Sequence, residues 1–128
     1  MKINQLSVFV ENKTGRINEV TQILGSNGVN MTAFSLADSG EFGILRMIVS
    51  DVGRAVSALK EARFGISVTE VVCFCCPNEP GALSIVLDCL ARENVFIEYM
   101  YAFSDGDTAR VVIRPTDLDR CIEILTRC

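Results

Sequence analysis

The 128-residue sequence contains no histidine. That absence excludes Ser-His and Cys-His catalytic arrangements and removes the commonest metal-binding side chain. No apolar run approaches the ~20 residues of a membrane-spanning helix. The N-terminal residues lack the basic segment, apolar stretch and cleavage site of a secretion signal. Basic charge is also scarce: 12 Lys and Arg stand against 16 Asp and Glu, for a net charge of −4. With no basic stripe and no aromatics interleaved in one, the sequence carries no footprint for nucleic acid. The expectations are a cytoplasmic protein with no membrane or nucleic-acid partner. Six cysteines are present, but with no signal segment and 49% hydrophobic residues they read as buried free thiols rather than a disulfide framework.

What the sequence does have is an internal repeat. Shifted by 66 positions, the separation of Asn12 and Asn78, the chain matches itself without a gap from Asn12 to Ala62 against Asn78 to Cys128. Val20/Val86, Leu24/Leu90, Gly40/Gly106, Asp51/Asp117, Arg54/Arg120 and Leu59/Leu125 are identical pairs. A unit of this length can bury a core of its own, so the repeat is not one turn of a solenoid.

Each copy reads as strand, helix, strand, strand, helix. In the first, Leu6, Val8 and Val10 alternate with Ser7 and Phe9 as in a half-buried strand. Asn12 to Gly15 forms a turn, and Ile17, Val20, Ile23 and Leu24 share a helical face that ends at Asn27-Gly28. Strands follow over Val29 to Ala37 and Phe42 to Val49, joined by a turn at residues 38–41. Ser50-Asp51 caps a second helix, and Ile66 to Val71 forms a closing strand. This order is the ferredoxin-like split β-α-β arrangement. The second copy repeats it from Val72, with a helix over Gly81 to Glu93 and a last helix capped by Thr116, and stops at Cys128. The expected fold class is α+β, two ferredoxin-like βαββαβ units, residues 1–70 and 71–128, the second lacking its last strand. Val72 to Cys76 should then have an open hydrogen-bonding side, covered either by Ile66 to Val71 or by a second chain.

The chemistry concentrates where the first strand of each copy meets its first helix: Asn12-Lys13-Thr14-Gly15-Arg16-Ile17 and Asn78-Glu79-Pro80-Gly81-Ala82-Leu83. A helix N-terminus presents unpaired N–H groups and the positive end of a dipole, which suits a carboxylate. Glycine permits close approach to the backbone, proline fixes the loop, and asparagine offers both a donor and an acceptor. Each of these features also makes an ordinary turn and helix start, but two copies at the same point favour a ligand site.

Strand, Asn-x-Pro-Gly-x-Leu, helix, strand, hairpin and helix resembles the ACT domain, the small-molecule-sensing module of amino-acid metabolism. The resemblance covers nearly the whole chain and implies a stand-alone tandem protein that binds an amino acid, regulates, and has no catalysis or cofactor of its own. It implies a ligand held between paired units, shifting their arrangement by linkage, in a homodimer that serves an enzyme of amino-acid metabolism. In the loop role it places Asn12, Lys13, Thr14, Gly15, Arg16 and Ile17, and likewise Asn78, Glu79, Pro80, Gly81, Ala82 and Leu83. The facing strand edges are Asn30, Met31 and Thr32, and Ile97 and Glu98. The first copy departs from the pattern at Thr14 and Arg16, where Arg16 or Lys13 offers an alternative hold on a carboxylate.

A rival reading is a thiol-based metal or redox site at Cys73, Cys75 and Cys76, whose Cys-x-x-Cys spacing suits Cu(I) or Zn(II). On a strand, however, Cys73 and Cys76 point to opposite faces, so no metal is expected. An enzyme is disfavoured because no carboxylates pair on one face; Asp51/Arg54 and Asp117/Arg120 suit helix capping and ion pairing.

Overall fold

The computed structural model describes residues 1–38 and 40–128. Its elements are β1 (Lys2–Glu11), α1 (Arg16–Ser26), β2 (Met31–Asp38), β3 (Phe42–Val49), α2 (Val52–Glu61), β4 (Gly65–Pro77), α3 (Ala82–Arg92), β5 (Ile97–Asp105), β6 (Thr108–Pro115) and α4 (Leu118–Arg127). Each copy of the repeat thus forms the expected β-α-β-β-α series. The turn expected at residues 38–41 includes Ser39, which lies outside the described residues.

Two compact units result: Asn4–Thr69, and Glu70–Cys128 together with Met1–Ile3. The second is where the structure departs from the 1–70 and 71–128 division. Residues Met1–Ile3, at the start of β1, belong to the second unit, where the strand order is β1-β4-β6-β5. The Cys73 N–H donates to the Met1 carbonyl at 2.7 Å. The side of Val72 to Cys76 expected to be open is therefore occupied by the chain's own first residues, and Lys2 further holds Asp119 of α4 at 3.0 Å. In the first unit the order is β2-β3-β1-β4, with the Gly65–Thr69 part of β4 as the fourth strand. The segments expected as separate strands on either side of residue 71 form one 13-residue strand.

Burial follows the alternation read from sequence. Leu6, Val8 and Val10 of β1 face Val20 and Leu24 of α1 and Ala55 and Leu59 of α2, all buried. Val72, Phe74 and Cys76 play the same part against Leu90, Cys121, Ile124 and Leu125. Burying one such Leu or Ile contributes about 1.5–3 kcal/mol.

The repeated Asp/Arg pairs do more than expected. Asp51 and Asp117 each accept the backbone N–H three residues on, from Arg54 and Arg120, at 3.0 Å, so Asp117 rather than Thr116 is the cap of α4. The arginine side chains reach the end of the other helix in their unit: Arg54 donates to the Asn27 carbonyl at 3.3 Å and Arg120 to that of Glu93 at 2.7 Å. Each pair closes one helix start and one helix end, satisfying groups that a helix leaves open.

The cysteines correct a second expectation. Cys73, Cys75, Cys76 and Cys121 are free, but Cys89 of α3 and Cys128 form a disulfide, with Cα atoms 6.5 Å apart. The link joins α3 to the residue that follows α4 across a separation of 39 residues. A loop of that length is worth up to roughly 4 kcal/mol through the entropy of the unfolded chain. Cys128→Ser should lower the unfolding free energy by about 2–4 kcal/mol in urea titration, and adding a reductant should lower that of the wild type equally while leaving Cys128→Ser unchanged.

Candidate functional site

In the first unit β1 ends at Glu11, and the chain turns sharply: the Lys13 N–H donates to the Glu11 carbonyl at 2.8 Å and the Arg16 N–H to that of Lys13 at 3.3 Å. Gly15 carries the turn into α1 with φ of +89°, and Gly81 does the same before α3 with φ of +85°. Neither helix start has a side-chain cap. The first N–H bonded in the helical pattern is that of Glu19, to the Gly15 carbonyl, and in the second unit that of Ile85, to Gly81. The N–H groups of Ile17 and Asn18, and of Leu83 and Ser84, are thus the ones a helix start leaves without an intrahelical acceptor.

Asparagine anchors both loops to the neighbouring hairpin. The Asn12 N–H donates to the Glu41 carbonyl at 3.0 Å and the Asn78 N–H to that of Asp107 at 2.9 Å, while the Asn12 side chain donates to the Gly40 carbonyl at 3.3 Å. The Asn12 side chain, which sequence reasoning gave to the ligand, thus also ties its loop to the neighbouring hairpin.

Beside α1 lies a cavity of about 240 Å³. Val10 of β1, Ile17 of α1 and Leu36 of β2 give it apolar walls; Glu11, Asn12, Lys13 and Asp38 give it polar ones, with Ala37 and Gly43 completing the lining. Gly43 matters because a side chain there would come within 3.2 Å of the Leu36 Cδ1 atom. Of the expected first-copy residues, Asn12, Lys13 and Ile17 meet at this cavity. Glu11, Leu36 and Asp38 were missed; Glu11 ends β1 opposite Phe42, and the signal for the other two was the β2–β3 register, which sets Asp38 opposite Gly43 and Leu36 opposite Leu45.

Arg16 does not line the cavity. Its guanidinium holds Glu11 at 2.9 Å and Glu19 at 3.0 Å, and lies over the Phe64 ring at 5.9 Å. Lys13 holds Glu11 at 3.0 Å from the other side. Hydrogen bonds from Lys13 and then Arg16, with their charges, hold the Glu11 carboxyl below the usual range, and the bonds to Glu19 and Glu11 raise Arg16. Met31 pairs with Val49 while Glu11 pairs with Phe42, so Asn30 and Met31 sit at the far end of the first unit's sheet from the loop. In the second unit Ile97 pairs with Pro115, whereas Pro77 before the loop pairs with Thr108, and Glu98 holds Arg114 at 3.4 Å.

Cys73, Cys75 and Cys76 do not converge. Cys76 is buried in the core of its unit, Cys75 is exposed and Cys73 is half-buried. Burial pushes the Cys73 thiol up, against a smaller opposing pull from Arg110, which lowers its thiolate fraction and reactivity. Among the described residues no group of three or more Cys, Asp or Glu side chains is placed to hold a metal ion. Also among them, no helix is long and apolar enough to cross a membrane.

The profile of the ACT domain pair matches residues 1–127. The chain belongs to the ACT domain pair family. Protein BT0572 of Bacteroides thetaiotaomicron is 50% identical over 99% of this chain and 88% of its own, with a TM-score of 0.94. The regulatory subunit of aspartate kinase from Thermus thermophilus shares the fold at 13% identity, with a TM-score of 0.69 over 99% of this chain and 94% of its own. No curated protein matches the chain.

The Glu11 cluster sets a pH dependence. Its folded-state pKa is lowered, so its contribution to stability is present above the ordinary glutamate range and is lost as pH falls through the lowered value. Glu11→Gln should lower the melting temperature at neutral pH and flatten its decline on acidification toward pH 3, measured by calorimetry across that range.

Proposed function

We propose that this ACT domain pair is a non-catalytic sensor that binds an amino acid at its strand-to-helix loops and transmits occupancy to an enzyme of amino-acid metabolism. The observation that carries the reading is the pair of uncapped helix starts after left-handed glycines, one of them opening beside a cavity with groups of both charges. N–H groups at a helix start favour a carboxylate, and Asp38 or Glu11 suits an ammonium group. Regulation of an enzyme is supported by family membership and by fold likeness to the aspartate kinase regulatory subunit.

A ligand bound only by the folded state stabilises it, by about 2.7 kcal/mol at a hundred times its dissociation constant. For a chain of this size that is a rise of roughly 10 °C in melting temperature. In a thermal-shift screen of the twenty amino acids at least one should give such a rise. A side chain at Gly15 or Gly81 would meet no atom within 4 Å, so Gly15→Val with Gly81→Val costs only backbone strain, about 1–3 kcal/mol each. That double variant should fold and lose the ligand-induced rise; a rise that persists in it removes the loops from the site.

We further propose a homodimer. The first unit's edge strand β2 runs from Met31 to Ala37 without a charge or proline and leaves Phe34 and Leu36 exposed. Such an edge favours pairing with another strand. This surface replaces Val72 to Cys76, which Met1–Ile3 already covers. Sedimentation should give a dimer at micromolar concentration and a monomer for Phe34→Glu; a wild-type monomer ends the proposal.

A further inference from the structure

The cavity beside Ile17 differs from the corresponding place in the second unit in ways that narrow its ligand. At the positions of Glu11, Lys13 and Asp38 the second copy has Pro77, Glu79 and Ser104. At those of Leu36, Ala37 and Gly43 it has Ala102, Phe103 and Ala109. The copy that keeps the Asn-x-Pro-Gly sequence therefore has neither the aspartate nor the lysine, and Glu79 there would repel a carboxylate. The polarity that fits a zwitterion exists in the first unit.

We infer that the first unit is the amino-acid site of the chain and that its ligand carries a branched aliphatic side chain, an inference that rests on the amino-acid reading above. Room comes first. The cavity of about 240 Å³ has Leu36 and Lys13 exposed at its rim, so it admits an amino acid with its side chain laid along the apolar wall.

Polarity agrees. The Glu11 carboxylate already holds Lys13 and Arg16. Asp38 accepts the Gly40 N–H at 3.0 Å and has no cationic partner among the described residues, so it is the carboxylate left for a ligand ammonium. The ligand carboxylate falls to the Ile17 end, where the helix-start N–H groups and Lys13 stand. Lys13 is exposed and its ion pair with Glu11 is solvated, so exchanging that partner for a ligand costs little. The rest of the lining is Asn12, whose side chain already donates to the Gly40 carbonyl, Gly43, and the apolar Val10, Ile17, Leu36 and Ala37. A charged ligand side chain finds no counter-charge among these, whereas an aliphatic one gains by burial.

Isothermal titration of the full chain with L-leucine, L-valine, L-phenylalanine, L-lysine and L-aspartate tests this. Leucine or valine should bind best, at one molecule per chain. Asp38→Asn keeps an acceptor for the Gly40 N–H and should weaken binding about tenfold or more, while Ser104→Ala, the matched change in the second unit, should leave it within about twofold. Leu36→Phe should fill the cavity and weaken binding, with the oligomeric state followed by sedimentation alongside. Two leucines per chain, tighter binding of lysine or aspartate, or full affinity in both Asp38→Asn and Leu36→Phe would overturn the inference and leave the amino-acid function standing. Failure of every amino acid to bind would overturn both.

Discussion

Everything at the loops follows from one constraint: the backbone must turn from strand to helix through a residue with positive φ. At Gly15 and Gly81 that angle is +89° and +85°. For any side chain with a Cβ the left-handed region costs about 1–2 kcal/mol. Glycine removes that cost and also removes the side chain that would cap the helix. The first-turn N–H groups are then held open by geometry, with the hairpin carbonyls at Glu41 and Asp107 pinning the loop from the other side through Asn12 and Asn78. Open first-turn N–H groups and a rigid strand-to-helix junction are consequences of the same residue.

The fold was legible because its signals are local and appear twice. Alternation in β1, helical spacing in α1 and the turn chemistry between them each occur again 66 residues later, so one ambiguous segment is corrected by its counterpart. What was not legible is nonlocal. Met1–Ile3 is too short to show a period, and its pairing beside Cys73 spans most of the chain. Only a count of strands, one missing from the second copy, hinted that a strand had to come from elsewhere. The disulfide was hidden differently. Cys89 takes the place of Ile23 and alone reads as a small core residue, while Cys128 takes that of Ala62 at the end of the repeat. The signal lay in asking whether those two places in a unit are neighbours, which requires knowing how its two helices pack.

The site was half legible for a similar reason. Lys13 and Ile17 belong to the loop motif itself, whereas Leu36 and Asp38 reach the cavity through the β2–β3 pairing. Arg16 shows the opposite error. As a cation beside a glycine loop it suggested a carboxylate ligand, but Glu11 and Glu19 lie within 3.0 Å and take that role inside the protein. A charge at a helix start finds its partner among nearby side chains whenever the sequence supplies one, and here it supplies two.

Comparison of the two copies separates fold from function without any other sequence. Leu24/Leu90, Leu59/Leu125, Asp51/Asp117 and Arg54/Arg120 are the same in both, and each has the same task in both: core burial, helix start, helix end. Gly28 and Asn94 differ in name but both hold positive φ after a helix, a conformation the two tolerate. Leu36 and Gly43 give way to Ala102 and Ala109, a net loss of two side-chain carbons. Lys13/Glu79 and Asp38/Ser104 differ in charge instead. These changes reverse or remove a charge at exposed positions where packing makes no demand. Two units built on one scaffold, with like cores and unlike loop charges, face different chemistry at those loops. The divergent positions, rather than the repeated ones, are therefore the ones that carry the ligand preference proposed above.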